Sequence, residues 1–334
     1  MFEGSNNECV KYRTSSGGTL YFNKHIVGSC CHYPNRQTIS RALHNSIQRK
    51  RSTIQYVLNR IYFRPRYKPI DKRHMKIATW NVNSLKVRLP QVLDWLGSNQ
   101  PDVLCLQETK LQDENFPIND IAAAGYQTLF SGQKTYNGVA LLSKKPGVNI
   151  VTGIPGLDDE QKRVLSAVYD DIMVACVYVP NGEHVTSEKY QYKLKWLGAL
   201  REWIRDMLSR HSKLVLLGDF NVAPEERDVH DSKVWDGQVL FSLPERAAFR
   251  EMLDLGLIDS FRLFEQPEKC YTWWDYRMMA FRRNMGLRID HILLSRELAE
   301  VCTACVIDKA TRKLERPSDH APVMVELGSL RRYF

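Results

Sequence analysis

The sequence predicts an α/β fold with sheets covered by helices. Three observations point there: short apolar runs rich in β-branched residues recur along the chain, stretches of helical period separate them, and no internal repeat or low-complexity tract replaces either. Strands are expected at Val103–Leu106, Val139–Leu142, Ile172–Val177, Leu214–Leu217, Ile289–Leu294 and Pro322–Leu327, because each run is apolar and bounded by turn-forming or polar residues. Met75 opens a further apolar run, Lys-Ile-Ala-Thr-Trp, that passes into Asn-Val-Asn. Tyr190, Leu194, Leu197, Leu200, Ile204 and Leu208 recur at helical spacing and give one face that must pack on a sheet. A second helix is expected from about Leu89 to Ser98, opening near Pro90 and burying Val92, Leu93, Trp95 and Leu96.

Composition bounds the class. Hydrophobic residues make up 43% and charged residues 25% of 334. No apolar stretch approaches the roughly 18 residues that span a bilayer, so a soluble globular chain without a membrane partner is expected. The net charge of +9 is unevenly spread: residues 1–74 hold 14 Lys+Arg against 3 Asp+Glu, and the remainder holds 33 against 35. Global charge therefore does not argue for a polyanion on the core, and only a local basic stripe could serve one. The division expected is a basic extension over 1–74 without a core of its own, a catalytic domain over 75–328 and a tail over 329–334. Three explanations stand for the extension: a start codon placed too far upstream of Met75, a targeting segment, or a basic arm that touches DNA. The eight cysteines are scattered, which favours a reducing compartment over a disulfide framework. Cys302 and Cys305 have metal-ligand spacing but no second pair nearby, so two small residues near a strand is the expected reading.

The chemistry collects where apolar runs end. Asn81 and Asn83 follow the first, Gln107 and Glu108 the second, Tyr178 a third, Asp219 and Asn221 a fourth. Strand ends in layered α/β folds converge on one crevice, so acids, amides and a phenol in equivalent positions suggest a hard-metal and phosphate site. Either the turn chemistry of Asp and Asn or a ligand role accounts for Asp219 and Asn221 singly; the packed Gly-Asp-Phe-Asn after Leu-Val-Leu-Leu favours the ligand role. Ser318-Asp319-His320 brings an acid and an imidazole to the start of the last strand, and Asp290 is the natural partner to orient His320. His291, next in its strand, should face the opposite way and be structural. Nucleophile-elbow, P-loop and dinucleotide fingerprints are absent, which removes support for acyl transfer, nucleotide-triphosphate hydrolysis and hydride transfer.

Six ordered motifs, Trp-Asn81-Val-Asn83, Leu-Gln-Glu108-Thr-Lys110, Tyr178-Val-Pro-Asn181-Gly, Gly-Asp219-Phe-Asn221, Gly-Leu287-Arg-Ile289-Asp290 and Ser-Asp319-His320, together resemble the exonuclease III family of abasic-site endonucleases, within the endonuclease/exonuclease/phosphatase superfamily. The resemblance runs from about Met75 to Leu327. It implies a four-layer α/β sandwich of two mixed sheets and an Mg2+- or Mn2+-dependent DNA phosphodiesterase of base excision repair. Such an enzyme cuts 5′ to abasic sites, with 3′-to-5′ exonuclease and 3′-end cleaning activity. It further implies Asn81, Glu108, Asp219, Asn221, Asp319 and His320 around the metal. Tyr178, Asp219, Asn221, Asp290 and His320 are implied in catalysis, with Asp219 acting on the attacking water and Tyr178 on the phosphate or leaving oxygen. Some members carry Asp where this chain has Asn83, so one carboxylate of the family is missing.

For DNA, the resemblance aligns Trp273, Leu287 and Ile289 with a small apolar pocket for a flipped sugar, a role that competes with ordinary core packing. Lys110, Lys134, Asn181 and Arg277, with Arg282, Arg283 and Arg288, are expected to meet the backbone. The implied partner is double-stranded DNA carrying abasic sites or blocked 3′ ends, bound by a monomer in a nucleoid, a nucleus or an organelle. Two rivals stand beside this reading: another phosphatase or phosphodiesterase of the superfamily, and a non-catalytic DNA-binding protein on the same fold. Tyr271-Thr-Trp-Trp-Asp-Tyr-Arg277 argues against the first, and retention of Glu108, Asp219, Asn221 and His320 against the second.

Overall fold

In the computed structural model, which describes residues 9–13, 19–23 and 74–328, the chain divides into two units, Met1–Ile70 and Asp71–Phe334. Of the first unit an antiparallel pair is described, β1 (Cys9–Arg13) with β2 (Thr19–Asn23). The rest of the extension and the tail over 329–334 lie outside the described residues.

The second unit carries two six-stranded sheets. One contains β3 (Met75–Asn81), β4 (Val103–Gln107), β5 (Gln127–Ser131), β6 (Val139–Ser143), β13 (Cys302–Ile307) and β14 (Val323–Leu327), in the order β13-β14-β3-β4-β6-β5. The other contains β7 (Val148–Thr152), β8 (Val164–Tyr169), β9 (Ile172–Tyr178), β10 (Leu214–Asp219), β11 (Leu257–Asp259) and β12 (Asp290–Ser295), in the order β11-β12-β10-β9-β8-β7. Both are mixed: β3 pairs with β4 and β9 with β10 in parallel, and the other neighbours are antiparallel.

Central strands are apolar on both faces because both faces are covered. Ile77, Val103, Cys105 and Leu141 of the first sheet meet Leu165, Val174, Cys176, Leu217 and Ile292 of the second in one cluster between the sheets. The alternate residues face outward. Ala78, Trp80, Leu104 and Leu106 pack under Val92, Trp95 and Leu96 of α1 (Leu85–Asn99). Ala175, Val177, Leu216 and Leu293 pack under α2 (Glu188–Arg210) and α3 (Leu243–Asp254). At roughly 1.5–3 kcal/mol per fully buried aliphatic side chain, these three interfaces hold the helix-sheet-sheet-helix order, which is the four-layer sandwich expected.

Some elements depart from expectation for identifiable reasons. α1 begins at Leu85 rather than near Leu89, since the Leu85 side chain is fully buried and its N–H bonds to Thr109 O, and Pro90 falls inside the helix. β7 escapes the apolar-run pattern because it is an edge strand whose residues are mostly exposed. β13 holds the Cys302 and Cys305 pair as free thiols, and Cys305 meets Ser260 Oγ at 3.4 Å.

Topology then places the chemistry. β12 runs antiparallel to β10, and β14 to β3. The ends of β3, β4, β9 and β10 thus lie beside the starts of β12 and β14. Asp219 sits opposite both Tyr178 and Asp290 in the register. Gly218 permits this: at φ 147 it brings its backbone so close to β9 that a Cβ would lie 1.8 Å from Val177 O.

Candidate active site

The site is assembled from strand ends held in an unusual backbone state. Asn83, Ser84, Glu108, Lys110 and Asn221 all have positive φ, between 43 and 93°, without being glycine. Such residues each cost on the order of 1–3 kcal/mol and persist where the surroundings over-determine them. Here the surroundings are hydrogen bonds. Ser84 N–H bonds to Glu108 O, Lys110 N–H to Asn137 O, and Asn221 N–H to Asp219 Oδ1 at 2.9 Å.

At the centre, ligand atoms of Glu108, Asp219 and His320 all lie within 4.8 Å of one another. The Asn81 amide, fully buried, donates to Glu108 Oε1 at 2.8 Å and to Asp219 Oδ2 at 2.9 Å. One amide thus joins a carboxylate of the first sheet to a carboxylate of the second. His320 Nδ1 meets Asp290 Oδ2 at 2.8 Å, and its Nε2 faces Asp219 Oδ2 at 3.8 Å. Burial alone would lower the imidazole pKa, but the charges of Asp290 and Asp219 outweigh it and push it up to about 10. Burial, helped by Asp290, pushes the Asp219 carboxyl up to about 7 against the pull of His320.

Tyr178 is half-buried beside Glu108 and Asp219, and burial together with those two charges raises its phenol well above the usual range. It therefore stays protonated and can donate. Arg163, which no pattern in the sequence singled out, lies over the Tyr178 ring at 4.6 Å and donates to Tyr178 O. Asn221 completes the cluster, accepting at Oδ1 from Asn181 Nδ2 at 3.0 Å and donating to Val179 O and Asp219 Oδ2.

The donor chemistry fits a hard divalent cation through the converging oxygens of Glu108 and Asp219. His320 shares this triad, with its Nε2 3.8 Å from Asp219 Oδ2. Asn81 and Asn221 turn their amide N–H groups toward the carboxylates. Asp319 stands outside the triad, with Oδ1 accepting from Asn83 Nδ2 at 2.9 Å and Oδ2 from Trp273 Nε1 at 3.0 Å. Asn83 accepts at Oδ1 from Lys110 Nζ at 2.6 Å, and Lys110 also pairs with Glu108 Oε2 at 2.8 Å.

The expected DNA-facing residues divide by burial. Lys110 and Lys134 line a cleft of about 520 Å³ with Lys86, while Asn181 and Arg277 are exposed and Trp273 is half-buried. Leu287 and Ile289 are not on the surface: at 0% and 1% exposed they close-pack with Ala223, Val229, Leu240 and Phe241. Arg282 and Arg283 are exposed. Arg288 is withdrawn from the expected stripe altogether, buried at 1% exposure between Asp228 and Asp259. A guanidinium there is held by two carboxylates, which is how a buried charge becomes tolerable.

Comparison with known proteins identifies the family. The endonuclease/exonuclease/phosphatase family matches residues 78–320. Exodeoxyribonuclease III of Haemophilus influenzae is 37% identical over 265 residues, covering 75% of this chain and 99% of that protein. A 3′-phosphatase from Neisseria, solved with a product DNA hairpin, is similar with a TM-score of 0.75 and 49% identity, across 76% of this chain and 99% of that one. An AP endonuclease from Archaeoglobus fulgidus gives 0.73 and 40%, across 76% and 99%. The motifs, the two-sheet sandwich and these likenesses converge: the chain belongs to the endonuclease/exonuclease/phosphatase family, in its exonuclease III branch of DNA-repair nucleases.

Proposed function

We propose that this chain hydrolyses DNA phosphodiesters 5′ to abasic sites, leaving a 3′ hydroxyl, and removes blocking groups from 3′ ends with the same site, using Mg2+ or Mn2+. The observation that carries the reading is the buried set Glu108, Asp219, Asp290 and His320 joined across the two sheets by Asn81. A phosphodiester is anionic, so hydrolysis needs positive charge at its non-bridging oxygens, an activated in-line water and help for the leaving oxygen. A divalent cation at Glu108 and Asp219 would supply Lewis-acid charge to the phosphate. The Asp219 carboxylate, at the centre of the same group, is the base that would take a proton from the attacking water. His320, charged and oriented by Asp290, donates to a phosphoryl oxygen. Tyr178, kept protonated, donates to the phosphate or the leaving oxygen. Lys110 and Lys134 hold the backbone in the cleft beside Glu108.

A second reading, in which 3′-end processing dominates, is favoured by one observation: Leu287 and Ile289, at 0% and 1% exposure, are buried in one cluster with Leu240 and Phe241. The high identity to a 3′-phosphatase supports it as well. One experiment separates the two. A duplex with a single abasic site and a duplex with a recessed 3′-phosphate are incubated with the protein and Mg2+ or a chelator, and the products are resolved by length and end group. Metal-dependent nicking 5′ to the abasic site supports the first reading, phosphate release without nicking the second, and neither product discards both.

A further inference from the structure

Lys193 sits on the wrong face of its helix. In α2, Tyr190, Trp196, Leu197 and Leu200 form the buried stripe, and Lys193 falls within it, with both its own side chain and that of its partner Glu245 at 0% exposure. Burying an ammonium is costly unless each of its hydrogens finds an acceptor. All three do. Lys193 Nζ donates to Asn181 O at 3.0 Å, to Asn221 O at 2.7 Å and to Glu245 Oε1 at 2.5 Å. Glu245 in turn caps α3, accepting from Leu240 N–H, Ser242 N–H and Ser242 Oγ, and Tyr190 OH closes the group at 2.6 Å from Ser242 Oγ.

Two of the three acceptors are backbone carbonyls of residues whose side chains meet in the site, since Asn181 Nδ2 donates to Asn221 Oδ1 at 3.0 Å. Asn221 is also left-handed, with φ 48, a state whose cost must be offset by contacts. One ammonium gripping both carbonyls fixes the spacing of two loops that come from different strands. An ion pair that only stabilised the fold would have no need to choose those two acceptors.

We propose that Lys193, anchored by Glu245, is a positioning residue for phosphodiester hydrolysis, holding the Asn181 and Asn221 side chains in register beside Asp219. This rests on the function proposed above. It touches neither substrate nor metal, and it acts through the two carbonyls alone. The effect belongs in turnover rather than in substrate binding, because misplacing a reacting group by about 1 Å can cost on the order of 10²-fold.

The first measurement uses the unaltered full chain labelled with 15N and 13C. The Lys193 ammonium should give a slowly exchanging resonance with through-hydrogen-bond couplings to the carbonyl carbons of Asn181 and Asn221. Their absence overturns the proposal, whether or not the protein cuts DNA. The second removes the charges together, as Lys193→Met with Glu245→Gln, so that neither partner is left buried alone. The kcat should fall by about 10- to 100-fold and KM should change less than about threefold. On an Asn221→Ala background the same pair should cost less than about twofold, since the groups act as a unit. A folded pair with unchanged kcat overturns it, as does a full multiplicative loss on that background. A pair that does not fold leaves the couplings to decide, and an unaltered protein that cleaves no DNA removes the proposed function while the couplings still judge Lys193.

Discussion

Asp290-His291 and Asp319-His320 are the same dipeptide in two regions of the molecule, and both imidazoles are almost fully buried, at 1% and 4% exposure. Their pKa values shift in opposite directions. His320 faces the carboxylates of Asp290 and Asp219, and its pKa is pushed up to about 10. His291 is driven down to about 4 by burial and by the Arg288 guanidinium 2.9 Å from its Nδ1, while its Nε2 meets Val222 O. Burial alone therefore does not decide what a histidine can do here; the sign of the neighbouring charge does. In the proposed mechanism the first is a proton-bearing donor to the phosphate, and the second is a neutral, buried imidazole next to Arg288.

That contrast can be broken most severely at its charged member. His320→Gln, and equally Asp219→Ala, should lower kcat by about 10²- to 10⁴-fold with unchanged circular dichroism. Turnover near that of the unaltered enzyme would remove either residue from the mechanism. Next in size is Asp290→Asn. In the unaltered enzyme the alkaline limb of the rate profile should fall near pH 10, and this substitution should move it toward the ordinary imidazole value of about 6.5. A limb that stays in place would mean that Asp290 does not hold the charge.

The stability profile sharpens the comparison further. His320, raised in the folded state, contributes stability that is complete below about pH 6.5 and lost as pH climbs through about 10. His291, depressed, contributes stability present above about pH 6.5 and lost as pH falls toward about 4. His291→Gln should abolish the acid-side slope and cost about 1–3 kcal/mol at pH 7 through the unpaired Val222 carbonyl and Arg288. The kcat should stay within about threefold. Denaturant titrations across pH read both slopes, and an unaltered acid slope in the variant would contradict the assignment. Smallest of all, Lys134→Ala should weaken DNA binding uniformly and reduce the salt-dependence slope by about 1, read by fluorescence anisotropy; an unchanged slope would take Lys134 off the phosphate path.

The residues proposed to carry chemistry were legible because they follow apolar runs, and a strand end is where a polar side chain is otherwise expensive to place. Glu108, Tyr178 and Asp219 could be found this way, and β4, β9 and β10 extend into or up to them. Arg288 misled for a related reason: composition marks a guanidinium as basic surface, and only coordinates reveal Asp228 and Asp259 around it. Leu287 and Ile289, aligned by resemblance with a pocket, are buried in a cluster against which Trp273 packs. Lys193 carried a signal that was overlooked, a lone cation in register with the apolar stripe of α2. Arg163 carried none, since a cation over an aromatic ring leaves no periodic trace.

The division of the pocket between two sheets has a consequence for how activity arises. Asn81 and Glu108 come from one sheet and Asp219 and Asp290 from the other, with Asn81 as the hydrogen-bonded link. A half-formed molecule with either sheet alone would be inert toward DNA however much secondary structure it had gained. The pocket is therefore complete only when the two sheets are packed face to face.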